Sequence, residues 1–128
     1  MSFSHAFYGI GDGGALAFFN FADPEAAAAY QAQKQPTFIH IALAVTDEAQ
    51  RQIKQRLEAA SLKVREVDHG YCKSIYTMSP DNMILEFTCD PPDVAEIDAL
   101  RRADAHSELA RWLGGDRRVN NQLRHREG

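Results

Sequence analysis

The sequence predicts an α+β fold centred on a strand, helix, strand, strand, strand run between Thr37 and Thr88. Three observations predict it. In Thr37 to Val45, Ile39, Ile41, Leu43 and Val45 form an apolar row at every second position; in an extended chain they occupy one face and leave His40, with Phe38 and Ala42, on the other. The chain then changes period: Ala49, Ile53, Leu57 and Ala60 recur at helical spacing, while Gln50, Arg51, Lys54 and Glu58 fill the wet face. Met83 to Thr88 returns to alternation, with Met83, Leu85 and Phe87 in one row and Glu86 opposite.

The connections agree with this order. Asp23-Pro24-Glu25 and the alanines Ala26 to Ala29 predict a short helical turn with proline at its start, inside a linker over residues 24–36. Thr46 is placed to cap the main helix, and Asp47 and Glu48 lie in its first turn, where the helix dipole favours negative charge. Lys63 to Val67 reads as a strand, His69-Gly70 as a turn and Tyr71 to Met78 as a strand. Ser79-Pro80-Asp81-Asn82 is a turn by composition, with Asn82 the residue that best tolerates a left-handed backbone. The helix covers one sheet face; the other is left as a concave wall carrying His40, Tyr76 and Glu86.

Beyond residue 89, Asp90-Pro91-Pro92-Asp93 punctuates the chain, and residues 90–115 read as a helical extension. Val94, Ile97, Leu100 and Ala103 trace one apolar stripe. Leu109, Trp112 and Leu113 form a second cluster, expected on a separate helix capped by Ser107 and closed by Gly114-Gly115. Residues 116–128, with Arg117, Arg118, Arg124, His125 and Arg126, read as a flexible basic tail.

A lone carboxylate in such a strand is costly to bury without a partner. An imidazole and a carboxylate, each the only strongly coordinating group on its strand, are what a divalent metal site needs, so His40 and Glu86 are the candidate ligands. The alternative for His40 is a hydrogen-bonded, half-buried side chain with no metal role.

Composition bounds the function. The chain has 128 residues, enough for one domain with a modest core. Its net charge of −4 and isoelectric point near 5.7 argue against nucleic acid as a partner, which needs clustered positive charge. No apolar run approaches a membrane span and the opening Met-Ser-Phe-Ser-His lacks the regions of a signal peptide, so a cytoplasmic protein with no membrane partner is expected. Cys72 falls on the face of Tyr76 and Cys89 on that of Phe87, which predicts two free thiols rather than a disulfide.

His-Ile-Ala-Leu-Ala-Val before the helix, then His-Gly, Ser-Ile-Tyr, Ser-Pro-Asp-Asn and Leu-Glu-Phe, resembles the second half of a vicinal oxygen chelate protein, the superfamily of glyoxalase I, bleomycin-resistance proteins and type I extradiol dioxygenases. The resemblance covers roughly Met1 to Cys89. It implies paired βαβββ modules curling into a metal-holding cup, with a complete module over residues 37–89 forming a mixed-sheet half-cup. It carries the metal-ligand role to His40 and Glu86, the ion being Fe2+, Mn2+, Zn2+ or Ni2+. It also implies that Tyr76, ten residues before Glu86 as in the dioxygenase branch, lines the site and donates a hydrogen bond to substrate. His69 is then a candidate to move a proton, or else an exposed turn residue.

An internal repeat fits the modular pattern. A shift of 68 residues lays Ala6-Phe7-Tyr8 on Ser74-Ile75-Tyr76, Gly13-Gly14 on Asp81-Asn82, Leu16 on Ile84 and Phe19 on Phe87. Residues 1–23 then supply the final hairpin of an incomplete first module, with its turn at Gly11-Asp12-Gly13-Gly14, and Phe18 falls where Glu86 sits. In the family the second histidine comes from a strand preceding this hairpin, which leaves the third ligand to a partner chain, to a longer gene product, or absent. His5 lies three residues from Tyr8 and faces the other way, so it is a poor substitute.

The implied function is metal-dependent chemistry on a small substrate with neighbouring oxygens, either extradiol dioxygenase-like or of a lyase or isomerase type. The alternative is a non-catalytic protein that sequesters a small molecule or antibiotic in the bleomycin-resistance manner, with Phe7, Tyr8, Phe18, Phe19, Phe38 and Tyr76 available to line a groove. A partial module leaves an exposed sheet edge, so a homodimer is expected, with Trp112 a candidate anchor.

Overall fold

A computed structural model describes residues 2–33, 36 and 38–118. Two strands, β1 (Phe3–Gly9) and β2 (Ala15–Phe21), form an antiparallel hairpin, followed by the helix α1 (Pro24–Gln31). The strand β3 (His40–Ala44), helix α2 (Asp47–Ala59) and strands β4 (Arg65–Asp68), β5 (Lys73–Met78) and β6 (Ile84–Cys89) follow, and helix α3 (Val94–Leu113) closes the order. The four later strands make a mixed sheet in the order β3-β6-β5-β4, with β3 parallel to β6 and the other pairs antiparallel. The architecture is the predicted α+β arrangement, a hairpin plus one open βαβββ unit.

Alternation sets the two faces of this sheet. Ile41, Leu43 and Val45 are half-buried while His40, Ala42 and Ala44 are exposed, and Ile75, 2% exposed, is the most enclosed apolar side chain among the described residues. Burial of a side chain of that size contributes roughly 1.5–3 kcal/mol. Helix α2 starts where expected: the Thr46 hydroxyl accepts from the Ala49 amide at 3.2 Å, with Asp47 and Glu48 in the first turn. Gln50 departs from its predicted place on the wet face. Its amide donates to the carbonyls of Lys73 (2.9 Å) and Phe87 (2.8 Å), tying α2 across β5 and β6. Asn82 takes φ 61°, as its type allows, and the Ser79 hydroxyl accepts from the amides of Asp81 and Met83 to hold the turn.

Two expectations need correction. The C-terminal segment is one helix rather than two: Ser107 turns its hydroxyl back onto the Asp104 carbonyl at 2.8 Å instead of capping a new start, and the pairs Arg101–Asp104 and Arg111–Glu108 brace the turns on either side. The closing end is as expected, with Gly114 at the cap and Gly115 at φ 93°. Phe38 does not share a strand face with His40; it precedes β3 and is 93% exposed. The hairpin aromatics, offered as groove lining, stand largely in solvent. Phe3, His5, Phe7, Phe19 and Phe21 line one face, His5 stacking on Phe19 at 4.0 Å, yet Phe7 is 66% and Tyr8 61% exposed.

The hairpin's register also differs from its supposed counterpart. Tyr8 and Phe18 share a face and touch edge-on at 5.5 Å, but Tyr8 pairs with Leu16 whereas Tyr76 pairs directly with Glu86. The repeat therefore preserves facing but not pairing. The tail expected over residues 116–128 lies, from residue 119 onward, outside the described residues, as does Thr37.

Candidate metal centre

Strand pairing brings the candidate side chains together. Tyr76 is opposite Glu86 and Ser74 opposite Thr88, so β5 and β6 turn four polar groups to the face away from α2. Parallel pairing of β3 with β6 sets His40 beside Ile84, two residues short of Glu86 and on the same face. The result is a direct contact, His40 Nε2 to Glu86 Oε2 at 2.7 Å, across 46 residues of sequence.

Glu86 is the hub. Its other oxygen, Oε1, accepts from Ser74 Oγ at 2.5 Å and from Tyr76 Oη at 2.9 Å, and the residue is 7% exposed. Burial alone raises its pKa, but the hydrogen bonds from Ser74, Tyr76 and His40, with the charge of His40, outweigh burial and hold the carboxyl below its usual range. A charged carboxylate thus persists in an enclosed place. Tyr76 responds oppositely: burial, then its hydrogen bond to that carboxylate, pushes the phenol up to about 12, so it stays a proton donor across the working pH range.

Tyr76 also meets His69, whose Nε2 lies 2.8 Å from the phenol oxygen. The four residues form one chain, His40–Glu86–Tyr76–His69. His69 is brought there by a tight turn: its amide donates to the Cys72 carbonyl at 2.9 Å, Gly70 adopts φ 76°, and the Gly70 amide donates to Asp68 Oδ1 at 2.8 Å. A positive φ at position 70 is the reason glycine stands there.

Cys72, expected on the face of Tyr76 as a free thiol, also belongs to the site. It is half-buried, 3.7 Å from Ser74 Oγ, and offers its sulfur within 4.8 Å of donor atoms of His69 and Glu86. Neither cysteine is in a disulfide, and the Cys89 thiol, buried on the other face near Asp47, is pushed up by its burial. His40 stands outside the His69, Cys72, Glu86 group of mutually close donors. His5, stacked in the hairpin, takes no part in the described network.

This donor set suits a divalent ion. It combines imidazole, thiol and carboxylate, the ligand types of zinc-like sites, with donor atoms of His69, Cys72 and Glu86 within 4.8 Å of one another.

No protein-family model matches the sequence, and no curated protein matches it. Among solved structures, the genomically encoded fosfomycin resistance protein FosX from Listeria monocytogenes aligns with 50% of this chain and 55% of its own, at 22% identity and TM-score 0.43. The aligned region thus spans little more than half of that protein. Among the described residues no helix is long and apolar enough to cross a membrane.

Proposed function

We propose that the chain is a divalent-metal protein of vicinal oxygen chelate type that binds a small substrate through two neighbouring oxygens, the ion depending on Glu86 and His40. The observation that supports this best is the enclosed, ionised Glu86 carboxylate set among His40, Ser74 and Tyr76. A carboxylate kept charged in so enclosed a place is unusual for a purely structural residue, because burial opposes the charge. When bound, a divalent ion would polarise the substrate oxygens and stabilise the oxyanion or enolate-like state that follows. Tyr76 would donate its hydroxyl proton in a hydrogen bond to a substrate oxygen, and His69 sits against that hydroxyl to receive or return a proton. Dioxygenase-like and lyase or isomerase chemistry share this machinery.

A second copy of the chain would supply the rest of the cup. The aromatic face of the hairpin supports this, since two strands alone are marginal in water and large exposed apolar patches mark contact surfaces.

The test is metal analysis of protein purified without chelators, together with His40→Ala and Glu86→Ala. Near-stoichiometric metal that is lost in Glu86→Ala and weakened in His40→Ala is the expected result. No metal under any loading condition would overturn the proposal in favour of metal-free sequestration of a small molecule.

A further inference from the structure

We infer that the ligands missing from the two strands come from the turn before β5, so that His69 and Cys72 join Glu86 in holding the ion and the thiolate makes the site selective for zinc-like metals. The inference rests on the reading of Glu86 as a metal residue and refines it, giving His69 the role of a ligand in place of proton transfer.

The geometry is set by backbone, not by chance approach of long side chains. Residues 69 and 72 are tied by the amide-to-carbonyl bond that closes their turn, and Gly70 supplies the left-handed step that closure requires. Cys72 directly precedes β5 with its sulfur 3.7 Å from Ser74 Oγ, and the pairing of Ser74 with Thr88 and Tyr76 with Glu86 fixes β6 alongside. Donor atoms of His69, Cys72 and Glu86 consequently lie within 4.8 Å of one another without help from any other chain. His69 and Cys72 are half-buried and Glu86 is buried.

The chemistry of the set narrows the metal. Glu86 would ligate as a carboxylate and Cys72 would lose its proton on ligation, giving two negative charges to balance a dication. Imidazole and thiolate favour Zn2+ or Co2+ over Mg2+ and Mn2+, which prefer all-oxygen sites. Three protein donors leave one tetrahedral position open, the pattern of sites that bind and activate a ligand rather than of closed structural sites. His40 then remains on Oε2, the far oxygen of the ligating carboxylate.

The experiment uses the full chain, reduced and stripped of metal, titrated with Co2+ under anaerobic conditions. Expected are one Co2+ per chain, a near-ultraviolet thiolate-to-cobalt charge-transfer band in the wild type and in Cys89→Ser, and no such band in Cys72→Ser. His69→Ala should weaken Zn2+ by at least 10- to 100-fold. Bound Zn2+ should also protect Cys72 of the wild type from alkylation, mapped by mass spectrometry, which needs no folded variant. Stoichiometric Co2+ without the band, a band that survives Cys72→Ser, or Zn2+ that leaves Cys72 alkylation unchanged would overturn this ligand set while leaving Glu86 as a metal residue. Absence of any bound metal would instead overturn the metal function itself.

Discussion

Glu86→Gln separates what the carboxylate does for the fold from what it does for a metal. Glu86 accepts three hydrogen bonds, at 2.5, 2.7 and 2.9 Å. Bonds to a charged acceptor contribute about 1.5–3 kcal/mol each, but burying the charge offsets much of that sum. The donors also have other partners: Ser74 has Thr88 at 3.1 Å, Tyr76 has His69 at 2.8 Å, and the His40 side chain is 34% exposed. Glu86→Ala should therefore destabilise by about 2–3 kcal/mol, below the naive total, and Glu86→Gln, which keeps a carbonyl acceptor, by about 1 kcal/mol or less. Both should weaken metal binding by at least ~100-fold, since an amide is a far poorer ligand than a carboxylate. Urea denaturation of chelator-treated protein measures the first quantity and metal titration the second. The pH dependence has a fixed sign. The folded-state pKa of Glu86 is depressed, so its stabilisation is present above the ordinary carboxyl value of 4.5 and is lost as pH falls through the lower folded value. The stability gap between wild type and Glu86→Gln should close over that acidic window. A Glu86→Gln protein that binds metal normally, or that is destabilised as much as Glu86→Ala, would refute the reasoning.

Tyr76→Phe should cost about 1–2 kcal/mol in urea midpoints, because one bond to the charged Glu86 disappears, while metal stoichiometry is retained. Asn82→Ala should destabilise by about 1 kcal/mol and Asn82→Gly by little or nothing, because position 82 sits at φ 61°; equal loss in both would place the asparagine's contribution in its side chain instead. Light scattering should give twice the 14.3 kDa chain mass, and Phe7→Asp on the exposed hairpin face should shift the protein towards monomer; a stable wild-type monomer would remove the second-copy proposal.

Local chemistry carried most of the fold into the sequence. Thr46, Gly70 and Asn82 mark their caps and turns by residue type, and the alternations around His40 and Glu86 assign both side chains to one face before any pairing is known. What escaped was decided by partners distant in sequence or by competing local bonds. Ser107 is as good a cap by composition as Thr46, yet a back-bond to Asp104 and the flanking ion pairs keep the helix continuous through it. Gln50 reads as a wet-face residue until two strand carbonyls come within reach. Within the site, parity put Cys72 beside Tyr76 but could not give the closure of the His69 turn, and that closure is what gathers His69 and Cys72 near Glu86.

The most direct test is anomalous scattering from crystals of the full chain grown or soaked with Zn2+ and recorded at the zinc edge. A single strong peak about 2.0–2.3 Å from a Glu86 carboxylate oxygen is the predicted result. Crystals in which zinc occupies other positions and leaves Glu86 bonded only to His40, Ser74 and Tyr76 would contradict the account.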